Sequence, residues 1–437
     1  MFQNKKYGFY AVTLCLTGLL YTFFCAGLDS GQRQIIGSAI TAGGGGWTSA
    51  QIELPMTVGS FLAVPLALLC CAGFFRLGIR QILIPCAAAA AMGCVGLVCA
   101  NGLDIFGGAV SGHYWLFFIS LAAIRCGCAM IRLALAALCL SWFLRYRGRA
   151  LGVVFMGAPM FSAVGAAALA GFVRTGLGGD YRPLYLGVAA ALALLALATR
   201  FLLRDRPEDV GLYPDGDGRA PAGEPLEEES PPGLAQMLKD CRMWLVLVSM
   251  GAFVTVAAGC LDFLEPRLLA KGGGGPTLLN RAAPWLALGT IFGIPASYIF
   301  GWLCDRLGEL WTALLLGLTE LGSILLLWHF PKEVGLAEGL CLCLTVACLM
   351  GGTPAVVFSV PGALFGRQQV FSAGRVIFPG LLLAAALTDA AGVLLGGGER
   401  ARLYVVLSAA VCLGLLACLA LLAAARFGRR SDDKDKE

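Results

Sequence analysis

Two arginines, Arg125 and Arg132, stand in a run from Tyr114 to Trp142 that holds no other charged residue. Their spacing of seven is two helical turns, so both guanidiniums fall on nearly one face of a helix, about 10 Å apart along its axis. A planar guanidinium grips a carboxylate through two parallel N–H bonds, and two of them on one face point to an anion. Charge inside a long apolar run is costly, so each Arg needs either an acid that packs it against a neighbour or a water-filled cavity. Arg125 falls near the middle of the run and Arg132 nearer its end. Asp389 is the one charged residue between Arg375 and Glu399. A carboxyl group there can carry a coupling proton or pair with Arg125 or Arg132, and a proton that breaks such a pair would gate a cycle. Asp29 and Asp262 close two other apolar runs, where they suggest an outer rim or gate. Asp29 and Arg33, four apart, would equally form a local helical pair. Glu320 lies in mid-run and its role cannot be read from spacing.

Other chemistries find little support. The chain has two histidines, His113 and His329, with no H-E-x-x-H and no nucleophile–base pair, so an enzyme is not expected. No Walker A pattern occurs, and the glycine runs at Gly43 to Gly46 and Gly272 to Gly275 do not follow strands. Cys15, Cys25, Cys70, Cys71, Cys94, Cys99, Cys348, Cys412 and Cys418, half of the eighteen cysteines, lie inside apolar runs and read as small hydrophobes. No metal and no cofactor is expected.

The elements that must hold these residues follow from composition. Of 437 residues 58% are hydrophobic and 14% charged, with a mean hydropathy of +0.80. A water-soluble fold could not bury so much apolar surface. Runs of roughly 20 apolar residues recur, each long enough for a membrane-spanning helix, and they are solid rather than alternating. The reading is an all-α membrane protein of about twelve transmembrane helices. The runs fall at roughly 8–28, 54–74, 81–103, 115–143, 150–172, 183–203, 243–264, 283–304, 310–329, 337–360, 375–396 and 401–426. That gives an N-terminal six-helix bundle over 1–203, a flexible linker rich in Pro, Gly and acids over 204–240, a C-terminal six-helix bundle over 241–427 and a tail over 428–437. The run after Lys5 and Lys6 ends in no clean cleavage site, so it reads as the first span, not a signal peptide.

The net charge of +5 comes from short basic clusters between spans, not from a patch for nucleic acid. Lys5 and Lys6, Arg76 and Arg80, Arg145, Arg147 and Arg149, and Arg426, Arg429 and Arg430 fall on one side when spans alternate. The positive-inside rule makes that side, and both termini, cytoplasmic. The expected location is the cytoplasmic (inner) membrane, and the expected partners are the bilayer and a small anionic substrate, with the chain acting as a monomer.

The halves echo each other. Leu28–Asp29 closes the first span and Leu261–Asp262 the seventh, each followed by a glycine run. "CAGFFRLGIR" at 71–80 and "GWLCDRLGEL" at 301–310 end the second and eighth spans. Six plus six in parallel order is a transporter plan whose halves rock about a central site.

At "GWLCDRLGEL" the sequence resembles the major facilitator superfamily, whose signature loop Gly301, Asp305, Arg306 and Gly308 match. The resemblance implies two pseudo-symmetric six-helix bundles and assigns those four residues to gating and conformational change. The first copy has Phe75 where the family has the acid. "GWTSAQIEL" at 46–54, "WFLRYRGRALG" at 142–152, "GAPMFSAVG" at 157–165, "RDRPEDVGLYPDG" at 204–216 and "LFGRQQVFSAG" at 364–374 are similar to the oxalate:formate antiporter and monocarboxylate transporter branch. That likeness implies secondary active transport of a small organic solute, preferably a carboxylate, by alternating access coupled to protons or counter-substrate. It departs from the oxalate carriers at Ser297, where that branch has an Arg, and in the eleventh span, which lacks their Lys. The site is therefore expected on the fourth span, at Arg125 and Arg132. Arg125 also looks like the intramembrane Arg of drug:proton antiporters, which leaves that activity as an alternative, along with a sensor that kept the fold and lost transport. Pro159, Pro295 and Pro354 are expected to bend spans five, eight and ten.

Overall fold

The computed structural model of the chain describes residues 5–29, 49–102, 111–165, 182–216, 234–271, 277–329, 333–394 and 400–434. Among these residues there are helices and turns and no strand. With no water available in a bilayer, each backbone polar group must be satisfied within its own segment, and long apolar runs meet that demand as helices. Twelve are long and apolar enough to cross a membrane: α1 Lys5–Asp29, α2 Glu53–Phe74, α3 Ile79–Ala100, α4 Tyr114–Trp142, α5 Arg147–Gly165 and α6 Arg182–Leu202, then α7 Cys241–Asp262, α8 Thr277–Leu307, α9 Glu309–His329, α10 Leu336–Arg367, α11 Gln369–Ala391 and α12 Leu403–Ala425. They fall on the twelve runs read from sequence, except that α8 and α11 each start six residues earlier and α10 runs further; residues 166–172 of the fifth run lie outside the described residues. Large apolar side chains such as Leu69, Phe201 and Leu416 stand fully outward, as contact with lipid tails requires. The chain divides into two compact units, Met1–Glu228 and Glu229–Glu437.

In the first unit α4 is the central helix, packed on α3, α2 and α1. From Gly127 to Trp142 every residue of α4 is buried except Arg132. Small residues allow that closeness, as they do wherever membrane helices meet tightly. A Cβ at Gly127 would stand 2.9 Å from the carbonyl oxygen of Cys86 on α3. At Gly59 of α2 it would stand 2.9 Å from the Cβ of Arg125 and 3.0 Å from the Cα of Ala122.

The stretch after α6 departs from expectation over its first part. Residues 204–216 are packed chain, not free linker. Arg80 N–H donates to Asp205 Oδ1 at 2.6 Å, and Trp142 Nε1 donates to the Arg204 carbonyl at 2.9 Å. Asp215 Oδ2 accepts from the backbone N–H groups of Leu144 at 3.1 Å and Arg145 at 2.8 Å, and Lys6 Nζ donates to the Val210 carbonyl at 2.7 Å. The acids Asp205 and Asp215 that made this stretch look solvated satisfy backbone N–H groups that helix starts leave open, and its carbonyls take side-chain donors. Residues 217–233 lie outside the described residues. A short helix, Leu234–Lys239, then leads to α7, whose N-cap Asp240 accepts from Arg242 N–H at 2.8 Å.

In the second unit α7 packs on α11 and α12, and α8 packs on α10. Within α10, residues Cys348–Gly352 form a π-turn, and Thr353 and Pro354 follow it. Pro354 has no N–H for the carbonyl of Met350, so the α-helical ladder is interrupted there. Gly351, inside this π-turn, is where α10 closes on α8: a Cβ on it would stand 2.7 Å from the backbone nitrogen of Ser297. A second π-turn, Phe161–Gly165, follows Pro159 in α5. Two of the three prolines expected to bend spans thus adjoin a widened turn, while Pro295 lies inside the continuous helix α8.

Candidate functional site

Arg125 and Arg132 meet at one acid, and it is Asp29, the last residue of α1. Arg125 Nη1 lies 3.2 Å from Asp29 Oδ1, and Arg132 Nη1 donates to Asp29 Oδ2. Arg125 is further oriented by Ser60 on α2, whose hydroxyl oxygen accepts from Nε at 2.9 Å. The neighbouring Gly59 lets α4 approach α2 closely enough for that bond, and its carbonyl accepts from the Cys126 thiol at 3.2 Å. Three helices therefore build the cluster: α1 gives the acid, α2 the hydroxyl and α4 both cations.

Seven-residue spacing puts the two guanidiniums on one face, as the sequence implied, and their long side chains converge across two turns. Asp29 is nearly enclosed, with 11% of its side chain exposed, against 20% for Arg125 and 31% for Arg132. One carboxylate facing two guanidiniums sums to a positive charge within the cluster. An acid so enclosed would be strongly destabilising without its cations, by about 3–5 kcal/mol when such a pair is broken. The sequence alternatives for these residues fare differently. Arg33, the local partner considered for Asp29, lies outside the described residues, and the acid on Arg125 and Arg132 is Asp29, where the sequence offered Asp389.

The remaining candidates occupy separate places. Asp389 is half-buried on α11, next to the buried Thr388. Asp262 ends α7 and is half-buried. Gly301 is buried on α8, Asp305 is half-buried one turn on, and the exposed Arg306 lies over the Trp302 ring at 5.0 Å. Gly308 adopts φ +94°, the left-handed turn that glycine permits, between α8 and α9. Gly78, in the copy of this loop that lacks the acid, adopts φ +90°.

Sequence reasoning singled out Glu320 without assigning it a role, and it is fully buried in mid-α9. The signal was its position, a lone acid near the middle of a 21-residue helix.

The profile of the Major Facilitator Superfamily matches residues 22–369. The chain belongs to that superfamily. Solved structures of major facilitator transporters share the fold at low identity. A bacterial homologue of the iron transporter ferroportin in its outward-facing state is 18% identical, with a TM-score of 0.68 over 95% of this chain and 99% of that one. The proton:xylose symporter XylE is 12% identical, with a TM-score of 0.68 over 95% of each chain. FucP in its outward conformation is 14% identical, with a TM-score of 0.66 over 95% of this chain and 99% of that one. No curated protein sequence matches the chain. Family and fold make it a multi-pass membrane protein of the transporter class.

Proposed function

We propose that this major facilitator protein is a secondary active transporter of a small carboxylate anion, in the oxalate:formate and monocarboxylate branch that its sequence resembles. It works by alternating access in the cytoplasmic membrane, with both termini cytoplasmic, as a monomer, coupled to protons or to a counter-substrate. The observation that carries this reading is the convergence of Arg125 and Arg132 on Asp29. An anionic substrate competes with Asp29 for the same guanidinium forks, so binding and the loosening of α1 from α4 become one event. A charged exchange of this kind ties substrate binding to the conformational equilibrium, since a ligand shifts an equilibrium only by its preference for one state. Asp389 on α11 is the carboxyl group proposed to take the coupling proton. Asp262 and Asp29 are the proposed gate residues, and Gly301, Asp305, Arg306 and Gly308 form the conformational loop.

The test is uptake by proteoliposomes of radiolabelled oxalate, formate, lactate and pyruvate, each against a preloaded carboxylate. Wild-type protein is expected to exchange at least one of them, and Arg125→Gln to abolish that exchange at unchanged expression and folding. Normal exchange by Arg125→Gln, or none of the four carried by wild type, overturns the reading. A thermal-shift screen with cationic drugs in parallel identifies the drug:proton alternative directly, because a bound ligand raises the unfolding midpoint.

A further inference from the structure

Glu320 sits eleven residues from Glu309 and nine from His329 on α9, about 16 Å and 13 Å along the axis from the two helix ends. Its side chain has no exposed surface. Oε1 accepts from the Thr353 hydroxyl at 3.2 Å, and among the described residues Oε2 has no hydrogen-bond partner. One turn along α9, Ser323 Oγ lies 3.4 Å from Thr345 Oγ1 on α10, so the α9–α10 contact carries a short ladder of oxygens.

Among the described residues no counter-charge faces this carboxyl group from the helices packed around it. From α7 the titratable neighbour is Cys260 and from α12 it is Cys418. From α10 the group on Glu320 is the Thr353 hydroxyl, and that helix's charged residues, Glu338 and Arg367, lie at its two ends. The charged residues of α8, Arg281, Asp305 and Arg306, lie towards that helix's two ends, as do Arg375 and Asp389 on α11. Arg267, which reaches α9 from beyond α7, donates to the carbonyls of Leu327 at 3.3 Å and Trp328 at 3.0 Å and stacks on Tyr404. A bare carboxylate in such surroundings is strongly destabilising unless a positive charge stands beside it.

The geometry points to Glu320 and Thr353 as a binding site for a small monovalent cation, a proton or a sodium ion, inside the second unit. The site holds two carboxyl oxygens and a hydroxyl, and it abuts the π-turn Cys348–Gly352, the one place in α10 where the backbone ladder is opened beside Glu320. π-turns recur at functional sites because they widen a helix without ending it. A cation bound here neutralises the acid and ties α9 to the part of α10 that follows the π-turn. The inference goes beyond the transport reading and does not depend on Arg125, Arg132 or Asp389.

Purified full-length protein in detergent tests it without any substrate. Infrared spectra in acid and alkaline buffer, with sodium or choline as the cation, read the carboxylic-acid C=O stretch, and thermal unfolding is followed in the same four conditions. For a proton site, the wild type is expected to show a protonated-carboxyl band that is lost on raising the pH and is absent in Glu320→Gln. For a sodium site, sodium raises the unfolding midpoint of the wild type and leaves that of Glu320→Gln unmoved. A band that survives Glu320→Gln or never titrates, together with no sodium effect specific to Glu320, overturns the inference. Thr353→Val carries the test if Glu320→Gln does not fold: it keeps the acid and removes its hydroxyl donor, so the band or the sodium response must shift, and unchanged responses overturn the site. Arg125→Gln is expected to leave every one of these signals in place, which separates this site from the proposed substrate site.

Discussion

Gly78 and Gly308 close corresponding helices of the two units, each after a leucine and each at positive φ, +90° and +94°. Around Gly308 there is open space, whereas a Cβ at Gly78 would meet Asp205 Oδ2 at 2.6 Å. The second loop carries its acids within its own sequence, Asp305 before the turn and Glu309 in the first turn of α9. The first loop has Phe75 in place of the former and Arg80 near the start of its next helix, and its acid arrives from elsewhere: Asp205, beyond α6, accepts the Arg80 N–H. Both helix N-termini thus meet a carboxylate where the macrodipole favours one, but only one of the two is local. Buried charge shows a parallel contrast. In the first unit Asp29 is enclosed with two guanidiniums, while in the second Glu320 is enclosed with a hydroxyl. A repeated backbone does not oblige the repeats to balance their charges in the same way.

Five substitutions break that comparison at different depths, read as thermal unfolding of purified protein. The largest effect is expected from Asp29→Leu, which leaves two guanidiniums facing each other without an acid and costs about 3–5 kcal/mol. A stability within a few tenths of wild type would mean that the cluster is not held by that acid. Gly59→Leu comes next, because the added atoms have no room between α2 and α4, and a loss of about 2 kcal/mol is expected from overpacking. Gly78→Ala should cost more than Gly308→Ala, for which about 1 kcal/mol is expected from the positive φ alone. The sharpest form adds Asp205→Ala: in that background Gly78→Ala should fall to the cost of Gly308→Ala, and a cost unchanged by removing Asp205 would show that the two residues do not interact.

Much of this was legible in the sequence because membrane helices are written in uninterrupted apolar runs. The matched loops at 71–80 and 301–310 were legible too, since a glycine after the same helix end needs the same turn. The partner of Arg125 and Arg132 was not. Asp29 lies 103 residues from Arg132, and no periodicity links them, while Arg33 four residues away offered a pairing that spacing can see. Residues 204–216 misled for a related reason. Pro, Gly and acids mark solvated chain on average, yet Asp205 and Asp215 are the acceptors that the open N–H groups at the start of α3 and just before α5 require. Glu320 was visible as an unusual residue in an apolar run, but only the placement of Thr353 across from it shows what the carboxyl group touches.

The π-turn in α10 has a consequence for how the helix is phased. A π-turn accommodates one residue more than the α-helical path requires, and one residue turns a helix by about 100°. Winding the same residues as a continuous α-helix, with none removed, would therefore swing Thr353, with all that follows it, onto a different face. The two ends of α10 are thus offset by a single inserted residue. That offset aims the hydroxyl of Thr353 at Glu320.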